Sequence, residues 1–150
     1  MASVMLLLGS NQGDMKGNLY RACQILEHHS IHINRQTKIY KTKPVGKVDQ
    51  PDFLNQGLYV DTDLTPQQLL AVIKNIELAM GRDMKSRRWG SRLIDIDILF
   101  YERMKIKEPN LQIPHPEFFK RPFAQIIAAE LIPDFKPPGK KKRFLNMPGE

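Results

Sequence analysis

Residues 89–101 read WGSRLIDIDILFY, and the way Leu93 to Phe100 is assigned settles the architecture around it. The run is β-branched and apolar and follows Gly90-Ser91, the pattern of a central strand. Asp95 and Asp97 interrupt it. Aspartate is disfavoured in strands, and a buried carboxylate without a partner is costly. Strand side chains alternate, so the two aspartates point the same way with Cα atoms roughly 6.5–7 Å apart. Two carboxylates on one face call for a counter-charge, either a hard divalent cation or a cluster of arginines. A solvated face on an edge strand is the plainer reading. It fits less well, because Leu93 and Leu99 share that face.

Working outward, Ser3 to Ser10 reads as a first strand, ending in the turn-rich Gly9-Ser10-Asn11-Gln12-Gly13-Asp14. Leu19, Ala22, Cys23 and Leu26 at helical spacing predict a helix over 15–29. Residues 31–42 look β-like with imperfect alternation, and Pro44, Gly46 and Pro51 mark a long loop of the kind that is often functional. Phe53 to Val60 alternates as a strand. Thr65 and Pro66 open a helix whose stripe is Leu69, Ile73, Ile76 and Met80, with Gly81 as its C-cap. After the aspartate strand come a hairpin-like region, Ile113-Pro114-His115-Pro116, and a last helix near 123–131. The order β-α-β-β-α-β predicts a ferredoxin-like α+β fold, an antiparallel sheet with both helices on one face, plus a C-terminal helical extension.

The 150 residues, 41% of them hydrophobic and 26% charged, suit a single domain over 1–150. Residues 136–150, with the run Lys140-Lys141-Lys142-Arg143, read as a loosely ordered basic tail. Val4 to Leu8 is too short for a signal peptide or a membrane span. One cysteine leaves no intrachain disulfide and no cysteine-based zinc site, so Cys23 is expected in the core. A cytoplasmic monomer that binds no membrane and no nucleic acid is the default expectation. The net charge of +7 favours an anionic partner. Much of it falls in residues 82–92, where Arg82, Lys85, Arg87, Arg88 and Arg92 face only Asp83.

No Walker-type or dinucleotide-binding glycine motif is present, so a bound nucleotide would rest on scattered cations and a metal. The aspartate pair beside the basic segment suits metal-assisted phosphoryl transfer, with carboxylates holding Mg²⁺ and arginines neutralising the phosphates. Trp89 is either a loop anchor or a core residue. Glu77 lies close to the apolar face of its helix, where a glutamate is either partnered by an arginine, the favoured reading, or simply at the boundary of that face. Phe53 and Asn55 share a strand face, and a ring beside an amide suits a flat heterocycle, although Phe53 fits a plain core position equally. His115, held between two prolines, is assigned a phosphate or nucleotide contact, while Arg121 and Phe123 flank Pro122. The rival class is a ferredoxin-like RNA-binding module. That class needs aromatics on a sheet strand, where this chain has two aspartates.

Leu8-Gly9-Ser10-Asn11, Tyr40-x-Thr42, Gln50-Pro51-x-Phe53-x-Asn55, Glu77, Gly81-Arg82, Arg88-Trp89-Gly90-x-Arg92-x-x-Asp95-x-Asp97 and Ile113-Pro114-His115-Pro116 with Arg121-x-Phe123 together resemble the 6-hydroxymethyl-7,8-dihydropterin pyrophosphokinases of folate biosynthesis. These elements run from residue 8 to about 134. The resemblance implies transfer of pyrophosphate from ATP to the pterin hydroxymethyl group, with two Mg²⁺ ions on Asp95 and Asp97. It implies pterin between Phe53 and Phe123, hydrogen-bonded by Asn55 and Thr42, with Pro44 and Trp89 bordering it. It assigns Glu77, Arg82, Trp89, Arg92, Ile98, His115 and Arg121 to ATP, Arg82 and Arg92 acting with the aspartates in catalysis. Loops near 44–51 and 84–89 would seal the site against water. Met84 departs from an arginine found in other members and Ser91 from a proline, and the match fades after Asp134.

Overall fold

The computed structural model describes residues 1–43, 51–81 and 93–147. Its elements run β1 (Ala2–Ser10), α1 (Met15–His28), β2 (Ile31–Gln36), β3 (Tyr40–Thr42), β4 (Phe53–Thr62), α2 (Pro66–Ala79), β5 (Asp95–Tyr101), β6 (Ile106–Glu108), β7 (Leu111–Ile113) and α3 (Pro122–Leu131). The main sheet has the order β2-β4-β1-β5 with β3 also on β4, and each pairing is antiparallel. This is the expected ferredoxin-like arrangement. The predicted second strand is broken in two. Thr37 leaves the ladder between the pieces, donating its N–H to the Gly57 carbonyl at 3.0 Å while its Oγ1 accepts the Gly57 N–H at 3.0 Å. The break accounts for the imperfect alternation over 31–42.

β1 is central and covered on both faces, which its continuous apolar run requires. Val4, Leu6 and Leu8 join Leu19, Ala22 and Leu26 of α1 and Leu69, Ile73 and Ile76 of α2 in one core. Met5 and Leu7 face the other way, onto Ala124, Ile127, Ala128 and Leu131 of α3. The helical extension therefore covers the sheet face that α1 and α2 leave open. It comes close over Gly57, where an added Cβ would lie 2.3 Å from Ile127 Cγ2. Cys23 packs partly buried against the first core, and burial pushes its thiol up to about 11.

The caps follow the sequence. Asp14 accepts from Gly17 N–H at the start of α1, and Thr65 forms a capping box with Gln68 on α2. Met80, not Gly81, is the C-cap of α2; Gly81 follows at φ +97°, the left-handed conformation that ends a helix. No helix among the described residues is long and apolar enough to cross a membrane.

The C-terminal segment departs from the expected loose tail. Residues 140–143 are exposed, yet Phe144 is fully buried and Met147 nearly so in the α3-side core. The Phe144 ring centroid lies 5.3 Å from that of Phe100 and 5.6 Å from that of Phe118, in an aromatic cluster with Phe135. A lone aromatic inside a charged run supplies the apolar area that anchors it. Phe144→Ala should cost about 3–5 kcal/mol of stability in denaturant titration; a loss under about 1 kcal/mol would mean that the segment is not part of the core.

Candidate functional site

β5 places its carboxylates by alternation. Ile94, Ile96 and Ile98 enter the α1/α2 core, so Asp95 and Asp97 share the opposite face, the one that α3 covers; that they share a face is what the alternation predicts. Register fixes their neighbours: Asp97 lies opposite Leu7 and Asp95 opposite Gly9. On its other side Gly9 pairs with Asn55, and Asn55 pairs with Tyr40. One row across the sheet therefore reads Asp95, Gly9, Asn55. With adjacent strands about 4.8 Å apart, the aspartate and the amide sit about 10 Å from each other across a bare glycine.

That glycine leaves room for its neighbours. A Cβ on Gly9 would meet Asn55 Oδ1 at 2.9 Å and the Phe53 ring at 3.4 Å. Phe53 pairs with Thr42, and Thr42 Oγ1 accepts a hydrogen bond from Asn55 Nδ2. Phe53, Asn55 and Thr42 are thus brought together as expected. Phe123 is in the first turn of α3, one turn before Ile127 on the same stripe, and packs partly buried against the α3-side core. The turn after β1 is pinned from below: buried Asn18 donates to Ser10 Oγ at 3.1 Å and to the Gln12 carbonyl at 2.9 Å.

His115 reaches the aspartates from a separate loop. Its Nε2 lies 3.8 Å from Asp97 Oδ1. Its Nδ1 accepts the Glu117 N–H at 3.2 Å, which leaves the proton on Nε2, facing the carboxylate. Its own N–H donates to the Leu99 carbonyl at 3.0 Å. Three residues on, Phe118 is fully buried and stacks edge-on against Phe100 at 4.9 Å, fixing the loop to the sheet. Arg121, the N-cap of α3, lies 3.9 Å from Glu117. Its buried Nε makes no hydrogen bond among the described residues.

Burial pushes the Asp97 carboxyl above the usual carboxylate range; His115 opposes this, Asp95 adds to it, and Arg121 and Lys74 also oppose it. Asp97 closes one end of a cavity of about 330 Å³ between α2, β5 and the β6–β7 hairpin. Ile98 lines it as expected, with Leu70 and Leu111 as further apolar walls and Lys74, Asn110 and Gln112 as polar ones. Such a lining takes a flat apolar group bearing a polar or charged extension. Sequence reasoning missed Leu70, Lys74, Asn110 and Gln112. Leu70 alone carried a signal, an apolar residue beside the core stripe of α2 but off it.

Glu77 is not among the cavity's walls. It is buried and accepts the Ile96 N–H at 2.9 Å, with Lys74 Nζ 3.9 Å away. The arginines of 82–92, candidates for the partner expected of it, lie outside the described residues. Pro44, Arg82, Trp89 and Arg92, with Met84 and Ser91, lie outside the described residues. Among the described residues no three His, Cys, Asp or Glu side chains form a metal-holding group. Two carboxylates on one face nevertheless suit Mg²⁺, which is commonly held by one or two carboxylates and completed by substrate phosphates.

The raised Asp97 carboxyl has a sign that can be tested. In the unfolded chain it ionises near pH 3.9, and in the fold only at higher pH, so above about pH 4 its charge costs stability. In Mg²⁺-free buffer Asp97→Asn should melt above the parent at pH 7, and the gap should close towards pH 3. Adding Mg²⁺ with ATP should raise the melting temperature of the parent and not that of the variant. A variant that melts lower at pH 7 would contradict this account.

Residues 5–133 match the sequence family described as 7,8-dihydro-6-hydroxymethylpterin-pyrophosphokinase (HPPK). A 2-amino-4-hydroxy-6-hydroxymethyldihydropteridine pyrophosphokinase of Methylorubrum extorquens is 41% identical over 135 residues, 89% of this chain and 85% of that protein. The Bacillus subtilis protein of the same description is 38% identical, with 84% of this chain and 75% of that protein covered. The mitochondrial folate synthesis bifunctional protein of Pisum sativum is 41% identical over 86% of this chain, which spans only 25% of that longer protein. Among solved structures, an HPPK-DHPS in complex with substrates is similar at a TM-score of 0.78, with 14% identity, over 97% of this chain and 42% of that one. Plasmodium falciparum HPPK-DHPS with pteroate is similar at 0.77, with 18% identity, over 97% and 41%. At such identities the two structures speak for the fold alone. By a family match over most of its length, and by relatives whose own length it largely covers, the chain belongs to the 7,8-dihydro-6-hydroxymethylpterin-pyrophosphokinase family.

Proposed function

We propose that this protein transfers the β,γ-pyrophosphoryl group of ATP to the hydroxymethyl oxygen of 6-hydroxymethyl-7,8-dihydropterin, giving AMP and the pterin diphosphate. The observation that carries this reading is the row Asp95–Gly9–Asn55. It sets a carboxylate pair and an aromatic–amide pair on one sheet face, about two strand spacings apart. Such a span suits a heterocycle at one end and a polyphosphate at the other.

Asp95 and Asp97 are the residues that would hold two Mg²⁺ ions, and Mg²⁺ would supply charge neutralisation on the triphosphate. Phe53 and Phe123 would stack on the pterin while Asn55 and Thr42 read its polar edge. The cavity bounded by Leu70, Ile98 and Leu111 would take the adenine ring. His115 donates from Nε2, and Arg121 has its buried Nε still to offer; both would bind the phosphates beside Asp97, with Arg82 and Arg92 contributing further positive charge. Pro44 and Trp89 would help to exclude water. In the reaction the pterin hydroxyl oxygen forms a bond to the β-phosphorus and the bond from that phosphorus to the α–β bridging oxygen breaks. AMP departs with the bridging oxygen, and the hydroxyl proton passes to solvent. Catalysis of this kind is largely positioning and charge stabilisation, so the bare floor at Gly9 matters as much as the charged groups.

With ATP, Mg²⁺ and the hydroxymethyldihydropterin, product analysis by chromatography should show AMP and pterin diphosphate in equal amounts. ADP in place of AMP would overturn the assignment. Gly9→Ala should fold and yet lose about a hundredfold in kcat/KM for the pterin, since its Cβ displaces the Asn55 amide; wild-type turnover would remove the floor from the reading.

A further inference from the structure

Glu77 is a carboxylate set among the core residues of α2, with a side chain only 3% exposed. It lies one turn past Ile73, on the buried side of its helix. Its Oε2 accepts the Ile96 N–H at 2.9 Å, and Ile96 is the residue between Asp95 and Asp97. Among the described residues β5 is the last strand on its side of the main sheet, not the central strand its apolar run predicts, so an amide on its outer edge has no described strand to bond. Glu77 occupies that place at the Asp95–Ile96 peptide, the first of the two that join the aspartates. Lys74, one turn earlier on α2, reaches the cavity and also lies 3.9 Å from Glu77 Oε1. The lysine lines the cavity and the glutamate does not.

We propose that Glu77 is a positioning residue: it holds the Ile96 peptide so that Asp95 and Asp97 present their carboxylates as a preset pair, and it makes no contact with the nucleotide. The pair sits at the start of its strand, and among the described residues the ladder with β1 begins at Asp95. A buried acceptor on the packed helix α2 supplies a fixed point there. Groups that orient metal-holding residues in this way commonly change metal affinity by 10- to 100-fold when removed. The proposal rests on the reading of Asp95 and Asp97 as metal-holding residues, so its test includes a measurement on the ligand-free protein.

The test compares Glu77→Gln, which keeps an acceptor oxygen, with Glu77→Leu, which removes it. Amide hydrogen exchange at Ile96, followed by NMR without ligands, should stay slow in the glutamine variant. In the leucine variant it should quicken about tenfold or more relative to Leu99 and Phe100. The Mg²⁺ concentration for half-maximal ATP binding, read by calorimetry, should rise about tenfold in the leucine variant and stay within about threefold of the parent in the glutamine variant. KM for the pterin should move in neither. Equal damage in both variants would mean that Glu77 acts by charge or by direct contact, and the proposal would fall. It would fall equally if the leucine variant were folded and unchanged in exchange and Mg²⁺ requirement. Should Glu77→Leu not fold, the glutamine variant decides alone, since a charge or contact role requires it to lose Mg²⁺-dependent binding. If the parent makes no pterin diphosphate, the proposed function fails, while the Ile96 exchange still reports on Glu77.

Discussion

The alternation of β5 against β1 is the constraint on which the rest depends. Ile94, Ile96 and Ile98 are 5% exposed or less, and burying each contributes about 1.5–3 kcal/mol, or about 5–9 kcal/mol for the three. Two carboxylates roughly 6.5 Å apart near a protein surface repel by about 2–3 kcal/mol. The isoleucines win. A slip of one residue would bury the aspartates against α1 and α2 and expose the isoleucines, so register and charge placement are set by one term. The sheet thereby holds an unfavourable pair in place before any cation arrives.

The groups that answer the pair, two cations and one imidazole N–H, come from three different elements. Lys74 belongs to α2, His115 to the loop after β7 and Arg121 to the cap of α3. Each opposes the upward push on Asp97, yet burial outweighs them together. The site is left electrostatically unfinished among the described residues, which suits a centre whose remaining positive charge arrives with its substrate.

Much of this was legible along the chain because it is local. Alternation in 93–100 placed Asp95 and Asp97 on one face, and period two placed Phe53 with Asn55. Thr65 and Pro66 marked the start of α2. What escaped depends on segments meeting in space. Leu70, Lys74, Asn110 and Gln112 share a cavity only because the β6–β7 hairpin folds back along β5. The apolar residues of α3 gave no indication of which sheet face it would cover. Phe144 was hidden by its neighbours, since a charged, proline-rich window reads as solvated whatever single ring it contains. The break at Thr37 is fixed by bonds to Gly57, twenty residues away.

Leu99 is the residue that the β1 register passes over, where Met5 pairs with Phe100 and Leu6 with Ile98. Its carbonyl takes the His115 N–H. The strand is thus one residue longer than its ladder requires, and the surplus residue joins the sheet to the histidine loop. A chain shortened by that residue would keep every partner of β1 and would lose the peg from which His115 hangs. In this fold the geometry of the phosphate-side loop is written in the length of a strand, and an alignment that closed a one-residue gap there would erase it without altering a single ladder pair.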